Sequence, residues 1–132
     1  MAGVTLSLKN NFGMLLSSRT LHGDFAHGSG CEPAISDLAA RPEIRGRLAL
    51  AMIDGLLGVC EGGPGPADPA DVFRYAGLLL SRDPVALDRR GLAIIEARRA
   101  LLGLPPLAER TLPNPSPPVH IENAAQKGVS PA

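Results

Sequence analysis

Val4, Leu6 and Leu8 alternate with Thr5 and Ser7, a period of two that predicts a short strand ending at Lys9. Residues 9–30 then turn polar and glycine-punctuated; Phe12, Met14, Leu15 and Leu16 allow one short helix in what otherwise reads as loop. Glu32-Pro33 opens a predicted helix through Ala40 with Ile35, Leu38 and Ala39 on its inner face. Arg41-Pro42 ends it, because proline disfavours helical backbone in the residue before it. Residues 48–53 are apolar without interruption and stop at Asp54-Gly55, the pattern of a buried strand covered on both faces. Residues 75–81, with Leu78, Leu79 and Leu80, predict a second such strand.

The connection 55–71, which includes Glu61-Gly62-Gly63-Pro64-Gly65-Pro66, is long enough to read as a functional or disordered loop. A stronger helix signal follows it: Asp83 can cap free amides and Pro84 suits the first turn. The helix is predicted over 83–102. Leu87, Gly91, Ile94, Ile95, Leu101 and Leu102 lie on its inward stripe, Arg89, Arg90, Glu96 and Arg99 face away, and Gly103 supplies the stop. Residues 104–118 hold six prolines and should run extended, and a last helix over 119–127 ends at Gly128.

Strands alternating with helices, without a hairpin signal, predict one α/β domain over residues 1–132: a small, largely parallel sheet with flanking helices and long loops at 55–71 and 104–118. With three strands evident the sheet keeps two free edges, and a homo-oligomer is the expected way of covering them.

Composition narrows the functional classes. Hydrophobic residues make up 45%, enough for a core. The aromatic residues are Phe12, Phe25, Phe73 and Tyr75, there is no tryptophan, and 13 basic residues balance 13 acidic ones. Stacking platforms and a basic footprint are both missing, so no nucleic acid and no anionic membrane surface is expected as a partner. The apolar runs are too short to span a bilayer. No basic segment followed by an apolar one opens the chain, so no signal peptide is read and a cytoplasmic location is the default. Cys31 and Cys60 stand alone, which gives no zinc or iron-sulfur ligand set; free thiols are the expectation.

In parallel α/β sheets ligands gather beyond the carboxyl ends of the strands. Lys9-Asn10, Asp54 and Asp83 each follow a predicted strand, and Glu61 lies in the loop that could close over them. Lys9, Asn10, Asp54, Glu61 and Asp83 therefore form a candidate site for a small molecule or an anion, and Asp54, Glu61 and Asp83 could hold a divalent metal. The plainer roles are a helix cap for Asp83 and a turn former for Asp54. Asp88 either pairs with Arg89 or Arg90 at the surface or points into the site. His22 and His27 are five apart in a glycine-rich loop, not the four that sets two imidazoles on one helical face, and His120 reads as a surface residue. Gly62-Gly63-Pro64-Gly65 lacks nucleotide-loop spacing and loses amide donors at Pro64 and Pro66. No catalytic constellation emerges.

Taken in order, the segment Val4-Thr5-Leu6-Ser7-Leu8-Lys9-Asn10 before Phe12-Gly13, the strand ending in Asp54-Gly55, the Glu61-Gly62-Gly63-Pro64 loop, the block Ser81-Arg82-Asp83-Pro84-Val85-Ala86-Leu87-Asp88 and the tail Ile121-Glu122-Asn123-Ala124-Ala125-Gln126-Lys127-Gly128 resemble the domain-of-unknown-function family numbered 362. That resemblance implies a chain similar to the C-terminal half of a typical member, with an incomplete sheet whose N-terminal part is missing or supplied by a partner. It implies no assigned activity. Some relatives carry four-iron ferredoxin motifs and others a twin-arginine export signal; neither feature is present here. Two readings follow: a small-molecule, anion or divalent-metal site at the strand ends, or a non-catalytic partner domain of a larger redox or iron-sulfur assembly.

Overall fold

The computed structural model of the chain describes residues 2–16, 31–62, 65–109 and 117–130. Four strands, β1 (Ala51–Gly55), β2 (Gly58–Val59), β3 (Val72–Phe73) and β4 (Gly77–Ser81), form two antiparallel pairs, β1 with β4 and β2 with β3. The registers Gly55↔Gly77 and Gly58↔Phe73 make them one bent ribbon, in which two residues, Leu56 and Leu57, oppose three, residues 74–76. That mismatch is a β-bulge, and Ala76 within it takes φ 58°, a backbone region uncommon outside glycine. Beyond β2 the ladder continues with the Cys60 amide donating to the Asp71 carbonyl at 3.0 Å.

This ribbon corrects the expected largely parallel sheet. Among the described residues there are five α-helices and two small antiparallel pairs. The two apolar runs do contain strands, but they run in opposite directions. The supposed loop 55–71 carries β2 and a 3-10 turn, Pro69–Asp71. In that turn Asp71 accepts from the Asp68 amide and Asp68 from the Ala70 amide, both at 2.8 Å. Pattern alone hides the hairpin because its tip is long and rich in proline and glycine rather than a two-residue turn.

The predicted first strand is also corrected. Ser7–Asn10 is a helical turn, α1, running into a 3-10 turn at Asn11–Met14. The Asp88 carboxylate accepts from the Ser7 and Leu8 amides, satisfying the donors that a helix leaves free at its start. The other predicted helices are present as α2 (Ala34–Ala40), α4 (Pro84–Leu101) and α5 (His120–Gln126), with a further turn, α3 (Pro42–Arg45), begun by the proline that ends α2. Asp83 caps α4, its Oδ1 accepting from the Val85 amide at 2.9 Å and the Ala86 amide at 3.0 Å. Gly103 and Gly128 follow α4 and α5 at φ 69° and 71°.

Leu8, Phe12, Ile35, Val85, Ile121 and Ala124 form the centre of the core, shared by α1, α2, α5 and the start of α4. Cys31 and Cys60 are both buried and free. The ribbon packs on α4 and α1 through one face, while Met52, Leu78 and Leu80 on its other face remain more than half exposed. The apolar runs thus have one covered face where two were expected. Among the described residues no helix is long and apolar enough to cross a membrane.

Candidate functional site

A cleft of about 320 Å³ opens between the ribbon, α4 and residues 3–6. Leu6, Ile53, Phe73, Tyr75, Ile94 and Leu107 supply its apolar walls, and Thr5, Cys60 and Glu61 its polar side chains. Two glycines make room for those walls. A β-carbon on Gly58 would stand 2.5 Å from the Phe73 ring, so only the bare backbone lets that ring lie across the ribbon. A β-carbon on Gly91 would meet the Leu6 methyls at 3.0 and 3.1 Å and Ile53 Cδ1 at 3.2 Å. Gly91 therefore sets how closely the N-terminal segment and β1 approach α4.

Glu61 is held by Arg99, which is 1% exposed. The Arg99 Nη1 donates to Glu61 Oε2 at 2.7 Å and to the Cys60 carbonyl at 2.6 Å. Its Nε and Nη2 donate to the Pro105 carbonyl at 2.9 and 2.7 Å. A buried guanidinium is tolerated when its donors are matched in this way. One side chain of α4 thus ties the arm of the ribbon to the segment after α4, and the expectation that Arg99 faces solvent is corrected. Glu96 is also engaged, its Oε1 accepting from the Leu107 amide at 2.9 Å.

Asp88, read from the sequence as a surface partner of Arg89 or Arg90 or as pointing into the site, is a second buried charge of α4. It is fully buried, and besides the two amides it accepts from the Ser7 hydroxyl at 2.5 Å. Burial pushes its carboxyl above the usual carboxylate range, while the hydrogen bonds from Ser7 and Leu8 pull the other way. Positions 88, 91, 95 and 99 recur at helical spacing, and that periodicity is the available signal that two charges share the inward stripe with Gly91 and Ile95.

Of the predicted site residues, Asp54 and Glu61 border the cleft, whereas Lys9, Asn10 and Asp83 are not part of its lining. The antiparallel register explains the dispersal. Asp54 pairs with Leu78, so Asp83, five residues further along, stands roughly 15 Å away at the opposite end of the ribbon. The carboxyl ends of neighbouring strands converge only in a parallel sheet. Asp83 is occupied as a cap and also accepts from the Ser130 hydroxyl at 3.1 Å. Asp54 is exposed and forms a turn, accepting from the Leu56 amide at 2.9 Å. Lys9 Nζ lies 3.5 Å from Thr5 Oγ1. Among the described residues no three His, Cys, Asp or Glu side chains gather to hold a metal ion. His22 and His27 lie outside the described residues.

His120, expected at the surface, is 1% exposed, and neither ring nitrogen finds a hydrogen-bond partner among the described residues. Burial lowers the imidazole below its ordinary value, Lys9 adding to the effect and Glu32 opposing it.

The model of a family described as a domain of unknown function, DUF362, matches residues 1–93. The chain belongs to DUF362. The span matched by DUF362 contains the Ser7–Asp88 contact, the whole ribbon and Gly91, while Arg99 and Leu107 lie beyond it. No curated protein and no solved structure matches the chain.

Proposed function

We propose that this DUF362 domain binds a small, largely apolar molecule bearing a hydrogen-bond donor, in the cleft between the ribbon and α4. The observation that supports this reading is the cleft itself: about 320 Å³, walled by aliphatic and aromatic side chains and bordered by the Glu61 carboxylate. That volume and mixture suit a ligand pocket. Among the described residues no lysine, arginine or histidine lines it, so the chemistry favours a neutral or cationic ligand over the anion that Lys9 was expected to hold. Metal coordination by Asp54, Glu61 and Asp83 has no geometric support, since the ribbon separates Asp54 from Asp83. The reading as a partner domain of a redox or iron-sulfur assembly rests on the family resemblance alone.

Thermal shift of the whole chain against matched aromatic alcohols, amines and carboxylates tests the proposal. Leu57 lines the cleft yet is 66% exposed, so Leu57→Trp can obstruct the opening without disturbing the core. The alcohols or amines should raise Tm progressively once their concentration exceeds Kd and the carboxylates should not. Leu57→Trp should keep the Tm of the free protein and lose the response. An unchanged response in Leu57→Trp, or none in the parent, contradicts the proposal.

A further inference from the structure

The face of the ribbon turned away from α4 carries Met52 in β1, with Leu50 and Leu56 just beyond its two ends, and Leu78 and Leu80 in β4, each 54–58% exposed. Together they expose roughly 500 Å², within the upper range of the largest apolar patch on a typical monomer and of a kind that marks interaction sites. Strand alternation places Asp54 on the same face, between Met52 and Leu56, at the edge of the ribbon where it also borders the cleft, and, carried one residue past the end of β4, places Arg82 beyond Leu80. The register sets Asp54 opposite Leu78, and carried one residue past its last pair, Ala51 with Ser81, it sets Arg82 opposite Leu50, so the two charges occupy diagonal corners of the patch.

We propose that this face is covered by a second copy of the chain, packed ribbon on ribbon about a two-fold axis that lies between the ribbons and crosses the strands. Two stacked ribbons admit two such face-to-face axes. An axis parallel to the strands brings Asp54 diagonally beside the partner's Asp54 and Arg82 diagonally beside the partner's Arg82, which sets like charges together. The axis across the strands reverses strand direction, stacks Met52 and Leu80 on their own counterparts, and brings Asp54 diagonally beside the partner's Arg82, twice. At the usual spacing of about 10 Å between stacked sheets those side chains reach each other. Charge complementarity thus selects both the occupant and the axis. The buried total, about twice the patch, lies near the lower limit for a specific interface, so the association is concentration-dependent.

Sedimentation velocity of the full chain, up to millimolar concentration, with circular dichroism as the check on folding, decides the proposal. The parent should dimerise. Asp54→Arg and Arg82→Asp should each weaken self-association at least about tenfold, since each sets like charges side by side. An equimolar mixture of the two variants should dimerise again. In the mixed dimer the introduced arginine meets the introduced aspartate at one corner, and the other corner keeps its original Asp54 and Arg82 pair. Leu80→Lys, which does not touch the turn bond of Asp54, should be monomeric and folded. A parent that stays monomeric overturns the proposal, as does a dimer indifferent to Leu80→Lys or a mixture no tighter than its components.

Discussion

Asp88 Oδ1 accepts hydrogen bonds from both the amide and the hydroxyl of Ser7, at 2.8 and 2.5 Å, across 81 residues of chain. Ser7 directly follows Thr5 and Leu6, which line the cleft, so this contact fixes the N-terminal wall of the cleft to α4.

Asp88→Asn keeps the shape of the side chain but supplies one acceptor oxygen where the carboxylate supplied two. We expect a loss of about 1–3 kcal/mol in urea denaturation at neutral pH. The pH dependence has a definite sign. The folded carboxyl sits above its ordinary value of 3.8, so the ionised form is penalised in the fold, and that penalty is relieved as pH falls from the raised value through 3.8. Asp88→Asn should lack this contribution, a difference readable by comparing the two denaturation series across mildly acidic pH.

Arg99→Leu removes the donor that Glu61 and the Cys60 and Pro105 carbonyls share. It should cost about 3–5 kcal/mol, the usual consequence of deleting one partner of a buried pair. Adding Glu61→Leu should recover part of that loss, since it removes the carboxylate that has lost its buried counter-charge; a double-mutant cycle of unfolding free energies checks both statements.

His120 contributes stability in the opposite sense to Asp88. Its folded value lies below the ordinary 6.5, so the unfolded chain takes up the proton first. Stability is complete above about pH 6.5 and falls as pH drops through that value toward the lowered one, where the dependence levels off. His120→Leu should flatten the stability curve across this window, as read by Tm against pH. An unaltered curve would place the pH dependence elsewhere.

Gly91→Ala trades helix propensity against packing. The new methyl favours α4 by about 1 kcal/mol but presses on Leu6 and Ile53, so stability should change by less than about 1 kcal/mol. The displaced Leu6 narrows the cleft. Ligand response in the thermal-shift assay should therefore weaken in Gly91→Ala while the Tm of the free protein barely moves.

Several elements are legible from pattern because their signals are local. Asp83-Pro84 announces the start of α4, Gly103 and Gly128 the ends of α4 and α5, and the two apolar runs the strands β1 and β4. Strand direction is not legible: an apolar run has the same composition in a parallel or an antiparallel pair, and the long tip between Cys60 and Asp71 carries no hairpin turn signal. Period two at Val4, Leu6 and Leu8 loses to a contact from far along the chain, the Asp88 carboxylate at the start of α1. Of the candidate site, Glu61 and Asp54 do border the cleft, but the charge pattern assigns the side chain that holds Glu61 to solvent. Arg99 reads as a surface charge when charge is weighed before position, although 88, 91, 95 and 99 fall on one helical face.

Methyl NMR of isoleucine-labelled protein tests the central claim, ligand binding in the cleft, most directly. Ile53, Ile94 and Ile95 line the cleft, while Ile35 and Ile121 are buried in the core away from it. Titration with a compound that raises Tm should shift the Ile53, Ile94 and Ile95 methyls along saturating curves with one common Kd and leave Ile35 and Ile121 unmoved. Shifts confined to Ile35 or Ile121, or no shift at Ile53, Ile94 and Ile95 at saturating ligand, would contradict it.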